Sequence, residues 1–135
     1  MSGISKKVTP DYWIEENGRS YAGQHYLLDI HQSENLDCVS SIEQALKQAV
    51  TEAGATLLHI HLHHFGPGQG VSGVAVLSES HISVHTWPER GFAAFDIFMC
   101  GHARPDLAVR ILQDAFPGQS SVIKYLRGEA NHARV

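Results

Sequence analysis

Three features of this 135-residue chain carry side chains able to do chemistry. His59, His61 and His63 recur at every second position, so on a strand their imidazoles project from one face. Two or three neutral imidazoles placed this way could hold zinc or a related ion. No acidic residue joins the row locally, and the competing reading is a polar, partly solvated strand face. The second feature is the run Ser78-Glu79-Ser80-His81-Ile82-Ser83-Val84-His85, with Ser72 upstream. Serines in such a setting are ordinarily turn and strand-end hydroxyls. A serine-hydrolase reading needs a G-x-S-x-G elbow, which the chain lacks. Ser80 and His85 are five residues apart, so local strand geometry does not bring them together. The third feature is a pair of cysteines, Cys38 and Cys100, too few for a disulfide framework and by default inert fillers of a core.

These residues need elements to hold them. Residues 23–30 read as a strand with Tyr26 and Leu28 on one side. Ser40-Ser41 offers an N-cap and Glu43 a first-turn acid for a helix whose apolar stripe is Ile42, Ala45, Leu46, Ala49, Val50 and Ala53. Gly54 ends it. Residues 56–65 alternate strictly, with Leu58, Ile60 and Leu62 opposite the three histidines. After a glycine-rich loop at residues 66–70, residues 71–77, 81–86 and 92–99 read as strands, the last two separated by a turn at residues 87–91. Residues 105–116 form a second helix, opened by a proline that the first turn tolerates, and residues 120–126 a short last strand. The first twenty residues, with Pro10, Asn17 and Gly18, read as a loosely held arm.

The order β-α-β-β-β-β-α-β with short connections predicts an α/β (α+β) fold in a single domain, residues 1–135. It is a mostly antiparallel sheet with two helices on one face. The other face carries polar and small residues, with Val84, Phe95 and Ile97 among their neighbours. A sheet covered on one side only buries its second face against another, so the expectation is a homodimer forming an α/β/β/α sandwich. A formal charge of −4 with scattered basic residues argues against nucleic acid as a partner. No apolar run approaches the roughly 20 residues that span a bilayer, so no membrane partner is expected. Residues 1–7 carry two lysines without an apolar segment behind them, which reads as no export signal and, with free thiols, a cytoplasmic protein.

The segment from Gln69 through Glu89, and above all Glu79-Ser80-His81-Ile82-Ser83-Val84-His85-Thr86-Trp87-Pro88-Glu89, closely resembles the processing segment of bacterial and archaeal S-adenosylmethionine decarboxylase proenzymes. The resemblance continues through Gly91-Phe92-Ala93-Ala94-Phe95-Asp96-Ile97-Phe98-Met99-Cys100-Gly101, and upstream in Gly23-Gln24-His25-Tyr26-Leu27-Leu28-Asp29 and Ala53-Gly54-Ala55-Thr56. It implies self-cleavage between Glu79 and Ser80 into residues 1–79 and 80–135, Ser80 becoming a covalent pyruvoyl cofactor. A ketone carbonyl of this kind condenses with a substrate amine as a Schiff base and accepts the electrons released with carbon dioxide.

The same resemblance implies residue roles. Ser72 stabilises the processing intermediate, His85 is the base of the elimination, and Cys100 protonates the product carbon. Phe65 stacks on adenine and Glu89 holds ribose hydroxyls. Cys38 keeps its inert reading, and no metal is expected at the site. The implied reaction is decarboxylation of S-adenosylmethionine to the aminopropyl donor for spermidine. Three alternatives stand beside it: the same machinery acting on ornithine or arginine, a metal enzyme built on His59, His61 and His63, and a non-catalytic paralogue. Two departures from the family pattern are visible: the loop Pro67-Gly68-Gln69-Gly70 is one residue longer than P-Q-G, and Met99 stands where threonine is frequent.

Overall fold

The computed structural model describes residues 6–129. Its main sheet is built from β4 (Gly23–His31), β5 (Leu57–His64), β6 (Val71–Leu77), β7 (Ser80–Trp87), β8 (Phe92–Cys100) and β9 (Gln119–Arg127), with helices α1 (Val39–Ala53) and α2 (Pro105–Ala115). The strand order is β5-β6-β7-β8-β4-β9, antiparallel at every pairing. This is the α+β arrangement that the order of elements predicted. The last strand is nine residues rather than a short one, because it pairs with β4 along its whole length.

Alternation along each strand sorts the side chains onto two faces. Leu28, Ile30, Ile82, Val84, Phe95 and Ile97 are buried and form one core with Leu46, Ala49, Val109, Leu112 and Phe116 of the helical layer. Val84, Phe95 and Ile97 therefore lie under the helices, not among the polar neighbours where the sequence reading set them. The second face is uncovered. It carries His25, Asp96, Ser83, His85 and Tyr125, each opposite a same-face partner in the register.

Three local expectations are corrected. Of the first twenty residues, read as a loose arm, 1–5 lie outside the described residues, and the rest belong to a separate antiparallel sheet of β1 (Lys6–Val8), β2 (Ile14–Glu16) and β3 (Arg19–Tyr21), with Ile14 and Tyr21 buried. Strict alternation in β5 fails at Leu58: Leu57 pairs with Leu77 and His59 with Val76, so Leu58 is the extra residue of a bulge and is exposed. Leu57 takes its place beside Ile60 and Leu62 against the core. Helix α1 begins at Val39 with Cys38 as its cap residue, so Ser40 and Ser41 lie in the first turn and turn their hydroxyls toward the Cys38 sulfur, at 3.3 and 3.2 Å. Glu43 lies further in and pairs with Lys47 one turn on. Gly54 closes α1 in the left-handed region as expected, donating to the carbonyls of Thr51 and Val50.

Candidate active site

Strands β6 and β7 join through a two-residue turn, with Leu77 opposite Ser80. The second turn residue, Glu79, has φ +61, a region that non-glycine residues occupy only at a cost. The peptide bond between Glu79 and Ser80 thus leaves a left-handed residue and enters a strand at once. Beside it stands the end of β8. The Cys100 thiol donates to the Glu79 carbonyl oxygen at 2.7 Å, and its backbone N–H points at Ser80 Oγ at 3.4 Å. Ser80 Oγ and Cys100 Sγ are 3.9 Å apart. Burial pushes the thiol above its ordinary value, opposed by the Ser80 hydroxyl and assisted by the charge of Glu79. A thiol so held stays protonated near neutrality and can serve as a donor.

The other predicted residues gather at the opposite end of β7. Ser72 and His85 are register partners across β6 and β7, and Ser72 Oγ lies 2.9 Å from His85 Nδ1. With Phe65, Trp87 and Glu89 they line a cavity of about 220 Å³. Phe65 is exposed, its ring edge-on to His63 at 4.6 Å. The longer loop closes beside it: Gly68 takes a left-handed turn, Gln69 N–H bonds to the Gly66 carbonyl, and Phe65 N–H bonds to the Gly70 carbonyl. Gly70 must be glycine, since a Cβ there would stand 2.3 Å from the Thr86 carbonyl oxygen. Met99 is buried in the core, so the departure at this position is one of packing.

The predicted residues therefore form two groups, not one. Along β7, five residues at about 3.3 Å each separate Ser80 from His85 by about 16 Å. Within one chain His85 is out of reach of Ser80.

Cys38 is not a core filler. It caps α1 with its sulfur near the surface, and the hydroxyls of Ser40 and then Ser41 bring its pKa down to about 7. The histidine row does lie on the open face of β5, opposite Val76, Val74 and Ser72. The donor atoms that converge closely among the described residues are elsewhere: those of His25, His81 and Asp96 lie within 4.8 Å of one another. Sequence spacing could not show this group, because three different strands supply it. Arg127 donates to His25 Nδ1 at 2.8 Å, so the proton of a neutral His25 sits on Nε2 and faces Asp96. The arrangement is a hydrogen-bond chain from Arg127 through His25 to Asp96, whose carboxylate also approaches His81 Nε2 at 3.4 Å. A larger cavity of about 510 Å³ opens over β1–β3, lined by Lys7, Glu15, Glu16 and Arg19, and holds none of the predicted site residues.

Fold and site define an α+β protein in which a turn with a left-handed glutamate, followed by a serine, abuts a thiol. The family model for S-adenosylmethionine decarboxylase matches residues 24–128. S-adenosylmethionine decarboxylase proenzymes from Thermomicrobium roseum and Methanococcus maripaludis are 41% and 48% identical to the chain, over 78% of its length and 93% and 89% of theirs. The crystal structure of adenosylmethionine decarboxylase from Aquifex aeolicus superposes with a TM-score of 0.71 at 30% identity, covering 85% of this chain and 98% of that one. The chain belongs to the S-adenosylmethionine decarboxylase family.

Proposed function

We propose that this chain is a proenzyme that cleaves itself between Glu79 and Ser80 and then decarboxylates S-adenosylmethionine. The observation that carries the reading is the Cys100 thiol on the Glu79 carbonyl oxygen, at a peptide bond where a left-handed residue in a two-residue turn meets a serine. Ser80 Oγ attacks the Glu79 carbonyl carbon, and the oxygen that gains charge is the one that already accepts from Cys100. Collapse breaks the C–N bond, leaving an ester on Ser80 and a free amine. A base removes the Ser80 α-proton, the Glu79 carboxylate departs, and dehydroalanine remains. Tautomerisation and uptake of one water release ammonia and leave the pyruvoyl group on residues 80–135. When formed, that group supplies the electron sink for loss of a carboxylate.

The residues present suit this use. Cys100, neutral because it is partly buried, holds a proton beside the new cofactor and delivers it to the product carbon. Phe65 and Glu89 fit a nucleoside, the ring offering a stacking face and the carboxylate accepting from ribose hydroxyls. His85, bonded to Ser72, is the elimination base.

The separation of the two groups makes a homodimer part of the reading. The open sheet face exposes Val76, Trp87, Ile123 and Tyr125, more apolar surface than a solvated face needs. Two such faces stacked about a two-fold axis that runs across the strands lay the Ser80 end of one β7 over the His85 end of the other. Each complete site then takes Ser80 and Cys100 from one protomer and Phe65, Ser72, His85 and Glu89 from its partner, in an α/β/β/α sandwich. The two unpaired thiols suit a cytoplasmic setting.

Intact-mass analysis is the test of the cleavage. The expected result is two chains divided before Ser80, the C-terminal one blocked by pyruvoyl, with carbon dioxide released from carboxyl-labelled S-adenosylmethionine. A stable uncleaved chain that turns over substrate would overturn the proposal. Faster turnover of ornithine or arginine would overturn the substrate.

A further inference from the structure

The sheet β1–β3 lies outside the family match, which begins at residue 24, yet it touches the site. Its first turn, residues 9–13, is tightened by Tyr12 N–H on the Thr9 carbonyl and Thr9 N–H on the Trp13 carbonyl, each 2.9 Å. At its apex Tyr12 has φ +67, an unfavourable conformation for an aromatic residue. That conformation aims its carbonyl at Gly101, whose N–H bonds to it at 3.1 Å. The ring lies against the same glycine: a Cβ on Gly101 would stand 3.1 Å from Tyr12 Cδ1. Gly101 is itself left-handed, at φ +65, and follows Cys100 directly. The far end of the small sheet is tied down by Arg19, whose guanidinium bonds both carboxylate oxygens of Glu129 at 2.6 Å. The small sheet is therefore held at both ends, and its first turn bears on the residue next to the thiol.

We infer that Tyr12 is a positioning residue for Cys100: the N-terminal sheet clamps the Cys100–Gly101 turn so that the thiol faces the Glu79 carbonyl. The inference rests on the role given to Cys100 above. Without the clamp the β8 end is free to relax at Gly101, and the thiol loses its aim at the carbonyl oxygen. Misplacement of a catalytic group by about 1 Å is enough to cost a large factor in rate.

Two readouts test it, and neither is decarboxylation. The first is the time course of chain cleavage after cell-free synthesis, followed by mass. The second is the rate of iodoacetamide labelling at Cys100 in a Ser80→Ala background, which cannot cleave, with Cys38 as an internal reference. Tyr12→Asn keeps a residue that tolerates the left-handed region and removes the ring. It is expected to slow cleavage roughly tenfold and to speed Cys100 labelling severalfold, with Cys38 unchanged. Tyr12→Phe retains the ring and should behave as the unsubstituted chain. Arg19→Gln releases the far tether while leaving Tyr12 intact, and should move both readouts in the same direction by less. Unchanged cleavage and labelling in Tyr12→Asn would overturn the inference. So would equal changes in Tyr12→Phe, because the ring contact would then not be the cause. Cys100→Ala separates the two ideas: cleavage at the full rate in that variant would remove the role of Cys100 itself, whatever Tyr12 does.

Discussion

Two thiols in one small fold are pushed in opposite directions, and the cause differs in each case. Partial burial raises Cys100, while the Ser40 and Ser41 hydroxyls lower Cys38 to about 7 by hydrogen bonding to its charged form. Cys38 is then largely thiolate at about pH 7.5, and Cys100 remains a neutral thiol there. Iodoacetamide at that pH is expected to label Cys38 well ahead of Cys100 in the uncleavable Ser80→Ala chain, as read by peptide mass mapping. Equal labelling of the two would contradict the assignment. The sign for pH dependence follows. A donor whose pKa is raised keeps its proton until pH rises through that higher value. Self-cleavage should therefore lose its Cys100-dependent part only above the ordinary cysteine range, near 8.5. An alkaline limb below that range, abolished in Cys100→Ser, would show that the thiol ionises early.

At the scale of elements, the site depends on close backbone approaches as much as on side chains. Gly70 leads into β6 where a methyl group would strike the Thr86 carbonyl, and Thr86 is itself buried, accepting from Val71 N–H at 2.9 Å and donating to the Leu36 carbonyl at 2.7 Å. Gly70→Ala must push β6 away from β7, and should destabilise the fold by about 1–3 kcal/mol, read as a lowered urea midpoint. It should also disturb Phe65, which bonds to Gly70, more than the Ser80 turn at the other end of β6. A variant of unchanged midpoint would show that the neighbouring strand yields freely. How far the sequence reveals these elements varies with the physics behind each. The apolar stripe of α1 and the glycine after it are local signals, and both were readable. The bulge at Leu58 was not, because its cause is the register with β6, a pairing between distant residues. The small N-terminal sheet was missed for a related reason: strands of three residues carry too little periodicity, and Ile14 and Tyr21 are buried only by what folds around them. The residue types proposed for the site come from its motif. Their division between two ends of β7 was not legible there, since a motif names residues without placing them in space.

That division makes its sharpest claim about the whole molecule. If one protomer supplies Ser80 and Cys100 while its partner supplies His85, two differently crippled chains can repair each other. A Ser80→Ala chain has no cofactor precursor, and a His85→Ala chain has no elimination base, so each expressed alone should stay inactive. In a mixed dimer, one site combines the intact Ser80 of the His85→Ala chain with the intact His85 of the Ser80→Ala chain. The other site has neither. Co-expression with distinguishable tags is therefore expected to yield pyruvoyl-bearing chains derived only from the His85→Ala protein, with about half the sites of each purified mixed dimer active, since the two sites of a symmetric dimer are equivalent before substitution. Pyruvoyl content by mass and carbon dioxide release per mixed dimer are the measurements. A site contained within one chain predicts no restored activity at all, and that result would remove the shared site. Activity restored without pyruvoyl on the His85→Ala chain would contradict the identity of the cofactor precursor instead. About 16 Å of strand between Ser80 and His85 is too far for a proton to pass directly, so His85 can serve as the elimination base only from a second copy of the open face.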